Sequence, residues 1–155
     1  MTVKIVTGCL LDAFDKREVD VIGHVVNCQG VMGSGIARSI RERYPLVYEN
    51  YVEFYYHFRD RVDILGCGQP VYLSGEKCVW NLFAQLNYGS NTRDLNYGAM
   101  GKALMEMVDE LDIDSKIGFP FKMGSDRAKG DWNIVLEMIE FYFKDHDVTI
   151  YKLEG

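Results

Sequence analysis

Three glycines, Gly30, Gly33 and Gly35, stand within six positions inside the segment Val25–Ala37. This segment begins as an apolar run, turns at Asn27, crosses the glycines and continues with the apolar spacing of a helix. A strand, a glycine loop and a helix start can bind an anion, because backbone N–H groups approach it and the helix N-terminus adds a positive dipole. The spacing matches neither a dinucleotide fingerprint nor a P-loop. The residues alone therefore predict an anion-binding loop of unassigned class.

A second segment, Pro120–Trp132, has a comparable glycine loop before an apolar periodic stretch. The first segment, read from His24 to Ala37, resembles the first ligand loop of macro domains, the modules that bind ADP-ribose. The second is similar to the second ligand loop of the branch that includes ADP-ribose-1''-phosphate phosphatases and terminal ADP-ribose glycohydrolases. The resemblance covers nearly the whole chain. It implies an α/β fold, a three-layer α/β/α sandwich with a mixed central sheet.

The resemblance also implies which residues contact the ligand. Loop one (residues 27–36) would hold the diphosphate and the terminal ribose through Asn27, Met32, Gly33, Ser34, Gly35 and Ile36. Loop two (residues 121–131) would contribute Met123, Gly124, Ser125, Asp126, Arg127 and Ala128. The adenine would lie beside Cys9, Leu10 and Leu153.

The adenine side departs from the family. Macro domains commonly carry an Asp directly after the glycine of the first strand, where this chain has Cys9, a weak acceptor. Backbone groups of Cys9 and Leu10, or the side chain of Asp12, are the alternatives for framing the base. Asp131, before Trp132, is interpreted as a helix N-cap, with a catalytic role as the alternative.

The positions that carry glycohydrolase chemistry also differ. In the terminal glycohydrolases a lysine at a strand end attacks the distal ribose, and an aspartate in the second loop assists. This chain has Ala84 and Gln85 at the first place and Ala128 at the second. Alanine and glutamine cannot form a Schiff base, so a lysine–aspartate mechanism is excluded.

Three side chains remain as catalytic candidates: His24, Asn27 and Asp126. His24 is either a general base or a hydrogen-bonded core residue of an apolar strand. Asn27 either pairs with ribose hydroxyls or forms an Asx-turn at the strand end. Asp126 and Arg127 replace a small apolar pair of the family; the Arg would grip a phosphate and the Asp would position water. The alternative interpretation of Asp126 and Arg127 is an exposed ion pair without a role at the ligand.

Composition limits the function further. The chain has 155 residues and a net charge of −6, which argues against a nucleic-acid backbone as its main partner. Its four cysteines contain no C-x-x-C pair, which favours reduced thiols in a cytosolic protein over a zinc site or disulfides. No stretch has the length of a membrane span, and no signal peptide is recognisable. We therefore expect one cytoplasmic domain over residues 1–155 with no metal, no cofactor and no membrane contact.

Apolar periodicity predicts alternating strands and helices. Strands are expected at 3–6, 20–27, 63–73, 77–84, 116–120 and 148–153, with 63–73 and 77–84 paired as a hairpin. Helices are expected at 34–43, 45–58, 95–111 and 131–144, and 9–16 is interpreted as a short connection. An open α/β sheet places its ligand loops at the carboxyl ends of strands, so both loops should meet in one crevice. Each would aim a helix N-terminus at the same diphosphate.

Three functions are compatible with this diphosphate site. The leading hypothesis is removal of the terminal phosphate from ADP-ribose-1''-phosphate, with His24, Asn27 and loop two around the reacting group. The first alternative is a non-catalytic reader of ADP-ribose or of ADP-ribosylated protein. The second is a de-ADP-ribosylating hydrolase that lacks the lysine–aspartate pair.

Overall fold

In the part of the chain that the structure describes, six strands form one mixed sheet. The computed structural model describes residues 3–154, so Met1, Thr2 and Gly155 of the expected 1–155 domain lie outside the described residues. The strands are β1 (Lys4–Thr7), β2 (Val21–Asn27), β3 (Gly68–Tyr72), β4 (Cys78–Gln85), β5 (Lys116–Pro120) and β6 (Asp147–Lys152). Their spatial order is β1-β6-β5-β2-β4-β3. Neighbours pair in parallel except β3, which forms an antiparallel hairpin with β4 as predicted.

Within residues 3–154, five α-helices cover the two faces of this sheet. They are α1 (Leu10–Asp15), α2 (Gly35–Arg43), α3 (Pro45–His57), α4 (Tyr97–Glu110) and α5 (Trp132–Tyr142). One core joins α1, α2 and α3 to the sheet through Phe14, Ile40, Tyr51, Ile22 and Phe83. The other core joins α4 and α5 to the opposite face through Met100, Leu104, Ile139, Trp80 and Phe119. The predicted three-layer α/β/α sandwich is confirmed. None of the helices within residues 3–154 is long and apolar enough to cross a membrane.

Cap chemistry explains where the later helices begin. Asn96 precedes α4, and its Oδ1 accepts a hydrogen bond from the Ala99 amide at 2.9 Å. Asp131 precedes α5, and its Oδ1 accepts from the Asn133 amide at 2.9 Å. A side-chain acceptor at this place satisfies an amide that has no intrahelical partner. The interpretation of Asp131 as an N-cap is therefore confirmed.

Two predictions of local structure are wrong. Residues 9–16, expected to be a connection, contain the helix α1, whose buried residues are Leu10, Leu11, Ala13 and Phe14. Six residues are fewer than two turns, so their helical period does not stand out in the sequence. The strand expected at 63–73 begins only at Gly68, after a 3-10 turn at Arg61–Asp63. Ile64 is buried in this connection and Gly66 has a φ of 92°, so the apolar run belongs partly to a loop.

Candidate ligand-binding cleft

A cleft of about 1000 Å³ lies at the carboxyl ends of the five parallel strands. Cys9 after β1, Asn27 of β2, Gln85 of β4, Pro120 of β5 and Lys152 of β6 all line it. This is the edge at which an open α/β sheet binds its ligands. The volume stands at the upper end of the usual range for small-molecule sites, about 300–1,000 Å³. The cleft is therefore large enough for a ligand with several ring systems.

Both predicted loops reach this cleft. The predicted site residues that line it are Cys9, Leu10, Asn27, Met32, Gly33, Ser34, Gly35, Ile36, Met123, Gly124, Asp126, Arg127, Ala128 and Leu153. Two predicted residues, His24 and Ser125, are not part of the cleft wall. The Ser125 hydroxyl instead donates to the Met123 carbonyl within loop two, at 3.4 Å.

Hydrogen bonds from Asn27 and Tyr51 shape the start of loop one. Asn27 Oδ1 accepts from the Gln29 amide at 3.0 Å, and Asn27 Nδ2 donates to the Val31 carbonyl at 2.8 Å. The Tyr51 hydroxyl lies 2.8 Å from both the carbonyl oxygen and Oδ1 of Asn27, and it accepts from the Val31 amide at 3.1 Å. The amide of Asn27 thus forms an Asx-turn while it also lines the cleft. Tyr51, 24 residues away in sequence, holds the same turn from α3.

Replacing Tyr51 with Phe should destabilise the protein by about 1–3 kcal/mol, because the Val31 amide and Asn27 lose a buried partner. The ring itself would stay packed, since Tyr51 is fully buried and stacks on Phe83 with centroids 5.5 Å apart. Urea unfolding measures the loss. Tyr48→Phe on the same helix is the control and should stay within about 0.5 kcal/mol of wild type. Equal losses in the two variants would show that the Tyr51 hydroxyl does not stabilise loop one.

The N-terminus of α2 is open toward the cleft. Ser34 occupies the cap position but its side chain makes no cap hydrogen bond, and the first helical bond runs from the Arg38 amide to the Ser34 carbonyl at 3.3 Å. The amides of Gly35, Ile36 and Ala37 are therefore not used by the helix, and all three residues line the cleft. Gly35 has a φ of 60° and a Cβ there would meet nothing within 4 Å. These amides and the positive end of the helix form a site for an anion.

Loop two is closed by its own backbone and fastened to the segment before α4. The Gly130 amide donates to the Gly124 carbonyl at 3.0 Å, and the Ala128 carbonyl accepts from the amides of Asp94 and Leu95 at 2.9 and 3.1 Å. A Cβ on Gly130 would lie 2.4 Å from Leu95 Cδ2 and 2.6 Å from the Gly124 oxygen. Only glycine fits this crossing, so loop two has a defined shape without a ligand.

The expectation that both loops aim a helix N-terminus at one anion is wrong for loop two. The carboxylate of Asp131 caps α5 by accepting from the Asn133 amide. Neither residue lines the cleft. Loop two instead presents Met123, Gly124 and the run Asp126–Ala128 to the cleft. Loop two therefore lines the cleft with loop residues, and of the two helices that follow loop one and loop two, α2 begins at the cleft wall and α5 does not.

Charge is distributed unevenly around the cleft. In the part of the chain that the structure describes, the cleft wall carries four cationic side chains and one carboxylate: Arg43, Lys122, Arg127 and Lys152 against Asp126. The whole chain has a net charge of −6. A cationic cleft in an acidic protein concentrates and orients anionic ligands. Within residues 3–154, no cluster of His, Cys, Asp and Glu could hold a metal ion.

His24 lies in the core, within a chain of polar side chains. Its ring is fully buried, and Nε2 lies 2.6 Å from Asn81 Oδ1. An amide oxygen only accepts, so Nε2 carries the proton. Asn81 Nδ2 donates to Gln69 Oε1 at 2.9 Å, and Gln69 Nε2 donates to the Asn50 carbonyl at 2.9 Å. Burial lowers the pKa of His24 from 6.5 to about 4. Since the ring lies outside the cleft wall, His24 is a hydrogen-bonded core residue, and its assignment as a general base is wrong.

Asp12, the alternative contact for adenine, is not part of the cleft wall. Its carboxylate lies 2.9 Å from Arg43 Nη1, and the hydrogen bond from that guanidinium lowers the pKa of Asp12. Cys9 and Leu10 do line the cleft, at the end of β1. The backbone groups of Cys9 and Leu10 therefore remain as the candidate contacts for the adenine base.

The loop after β4 forms a further wall that the sequence reasoning missed. Ala84, at the place of the glycohydrolase lysine, is fully buried, whereas Gln85 lines the cleft. Gln29 of loop one holds the start of this loop, because its Nε2 donates to the Leu86 carbonyl at 2.8 Å and to Asn87 Oδ1 at 2.9 Å. Other residues of the wall that were missed are Arg43, Tyr88, Gly89, Phe121 and Lys122. The signal for Gln85 and Tyr88 was present, since every parallel strand ends at the same edge.

Comparisons with known proteins agree with this architecture. No family model matches the chain. It is 23% identical, over 99% of its length and 98% of the other protein, to an uncharacterised 17.5 kDa protein from the tk-vs intergenic region of Enterobacteria phage T4. A macrodomain protein of Streptomyces coelicolor is 25% identical with a TM-score of 0.77, covering 97% of this chain and 98% of its own. Thermosipho africanus DarTG in complex with ADP-ribose is 16% identical with a TM-score of 0.79, covering 98% of this chain and 42% of its own. This chain therefore has the fold of a macro domain.

Proposed function

We propose that the cleft binds ADP-ribose or a close derivative. One observation carries this proposal: the uncapped N-terminus of α2 and the closed loop two border the same cationic cleft. A diphosphate between them would accept hydrogen bonds from backbone amides on both sides. The Thermosipho protein of the same fold, whose structure contains ADP-ribose, supports this choice of ligand.

The two ends of the cleft differ in polarity, and this difference suggests how ADP-ribose is oriented in it. At the β1 and β6 end most of the wall is apolar surface, and Lys122 and Lys152 lie beside its Phe121 ring. The apolar and aromatic side chains at this end are Leu10, Leu11, Phe121, Tyr151 and Leu153. At the β4 end it is more polar, with Asn27, Gln85 and Tyr88. A flat base favours the apolar end and a ribose with free hydroxyls favours the polar end. We therefore place adenine beside β1 and β6, and the terminal ribose beside β2 and β4.

ADP-ribose should bind with a micromolar dissociation constant, about −8 kcal/mol, and AMP should bind much more weakly because it lacks the second phosphate and the terminal ribose.

Gly33→Glu should weaken ADP-ribose binding at least tenfold, about 1.4 kcal/mol, by placing bulk and negative charge beside the amides of α2. A Cβ at Gly33 would meet only Val31 Cγ1, at 3.4 Å, so the fold should accept the change. Isothermal titration calorimetry measures both effects.

The control for this test is Gly33→Ala, which adds the Cβ without the charge and should bind ADP-ribose within a few-fold of wild type. Equal affinity of the wild type for AMP and ADP-ribose would show that the cleft has no site for the diphosphate. A folded Gly33→Glu variant with unchanged affinity would show that loop one does not hold the diphosphate.

We further propose that the domain hydrolyses the terminal phosphate of ADP-ribose-1''-phosphate. A water oxygen would attack the phosphorus, and the bond from phosphorus to the ribose oxygen would break. The ribose oxygen would take up a proton from the solvent, and the products would be ADP-ribose and inorganic phosphate. Asp126, an exposed carboxylate of loop two that lines the cleft, would orient the water and accept its proton. Arg127 beside it would pair with the phosphate oxygens. Asn27 borders the terminal ribose in this arrangement.

One observation favours a different class, a reader that binds ADP-ribose or ADP-ribosylated protein without chemistry. The buried His24 and the residues at the end of β4 supply no base or nucleophile to the cleft, which leaves Asp126 as the acidic candidate. A de-ADP-ribosylating hydrolase would depend on the same carboxylate. Phosphate release from ADP-ribose-1''-phosphate, measured beside ADP-ribose binding, separates the phosphatase from the reader.

A further inference from the structure

Two lysines flank one aromatic ring in the cleft wall. The Lys152 ammonium lies 4.9 Å from the ring centre of Phe121, and the Lys122 ammonium lies 5.8 Å from it. Trp132 packs on the same ring with centroids 5.3 Å apart, which holds the phenyl group in place. Both lysines and Phe121 line the cleft. The pair of lysines and this ring form what we call the lysine clamp.

The lysine clamp has no carboxylate partner within the described part of the chain. The ion pairs of residues 3–154 involve Lys4, Arg38, Arg43, Lys77 and Lys102, and none includes Lys122 or Lys152. Lys122 also has a φ of 58°, a conformation that is unfavourable for a residue with a Cβ. Two unpaired cations in an acidic protein, one of them on strained backbone, indicate a site for an anion.

The sheet order locates this anion relative to the diphosphate. Lys152 ends β6, which lies between β1 and β5, and Lys122 is the second residue after β5. Loop one follows β2, on the other side of β5. The far part of loop two turns toward the β4 side, where the Ala128 carbonyl accepts from Asp94 and Leu95. The lysine clamp therefore lies at the apolar end of the cleft, where the proposed function places the base.

We propose that the lysine clamp binds a third phosphate, carried by the ribose next to the base. The ligand class would be ADP-ribose phosphorylated on its adenosine ribose, such as 2'-phospho-ADP-ribose, the unit contained in a 2'-phosphorylated nicotinamide dinucleotide. This inference rests on the proposed function, because the base must occupy the apolar end. The diphosphate already has the amides of α2 and loop two, so the two ammonium groups remain for a further phosphate. Ammonium groups bind phosphate as point charges and need no bidentate geometry.

Calorimetry with three ligands tests this inference: ADP-ribose, 2'-phospho-ADP-ribose and ADP-ribose-1''-phosphate. We expect wild type to bind 2'-phospho-ADP-ribose at least tenfold more tightly than ADP-ribose. The double variant Lys122→Gln/Lys152→Gln should reduce this preference to about threefold or less. It should weaken the binding of 2'-phospho-ADP-ribose at least about threefold more than the binding of ADP-ribose, because both ligands lose the general attraction of the cationic cleft and only one loses a contact to its third phosphate. The control Lys16→Gln/Lys116→Gln removes the same charge elsewhere and should keep the preference.

The outcomes distinguish this inference from the proposed function. ADP-ribose binding without a preference for the 2'-phosphate would overturn the lysine clamp alone. A preference for the 1''-phosphate that the double variant abolishes would also overturn it, because the lysines would then serve the terminal ribose. Equal weakening of all three ligands would indicate general attraction instead of a phosphate site. No binding of any ADP-ribose ligand would overturn the proposed function, and the inference with it.

Discussion

Acidification from neutral pH to about pH 4 should lower the free energy of unfolding by about 3 kcal/mol through His24 alone. In the folded protein burial keeps the ring neutral, because it lowers the pKa from 6.5 to about 4. In the unfolded chain the ring takes up its proton as the pH falls through the ordinary value. The unfolded state therefore binds more protons between these two values, and stability falls with pH in that window. The stability that the neutral His24 ring contributes is fully present above the unfolded pKa of 6.5, and the loss is complete below the folded pKa of about 4.

Urea unfolding across this pH range measures the effect. His24→Gln cannot titrate and retains a donor for Asn81, so its stability should lack this component of the pH dependence. His57→Gln removes an exposed histidine and should keep the wild-type profile. Parallel profiles of wild type and His24→Gln would contradict the assignment. Nuclear magnetic resonance of the wild-type ring gives a second measurement that needs no variant, and a His24 that titrates near its ordinary value would equally exclude a buried neutral ring.

Asp126→Asn should reduce phosphate release from ADP-ribose-1''-phosphate by about 10²–10⁴-fold, the usual contribution of a positioned acid or base. The amide has nearly the same shape but cannot accept the proton of the attacking water. ADP-ribose affinity should stay within a few-fold of wild type, because the proposed function assigns the diphosphate to backbone amides of loop one and loop two and not to this side chain. A phosphate-release assay and calorimetry on the same preparations provide the two measurements.

Asp114→Asn, an exposed acid outside the cleft wall, is the matched control and should retain full turnover. If Asp126→Asn also retains full turnover, the domain is a phosphatase with different chemistry from the one proposed. If the wild type binds ADP-ribose tightly but releases no phosphate above background, the reader replaces the phosphatase as the function of the cleft.

Local chemistry made the loops and most of the elements predictable. The open N-terminus of α2 follows from neighbouring residues, since Gly35 accepts a positive φ and loop one connects it to the preceding strand β2. The alternation of apolar strands and amphipathic helices likewise predicted the three layers, because each element must bury its apolar side. Fourteen predicted site residues line the cleft because strand ends and the loops after them meet at one edge of the sheet.

Tertiary structure decided which side chains enter the cleft. β2 is buried on nearly every residue, so its sequence carries no alternation that would distinguish the core-facing His24 from residues at the ligand. The turn at Asn27 depends on Tyr51 from the helix α3, and the carboxyl ends of β5 and β6 bring Lys122 and Lys152 to one ring. The short helix α1 is stabilised by its burial against the sheet, since six residues do not form a stable helix alone. Such contacts join residues far apart in sequence, and no local pattern of residue types encodes them.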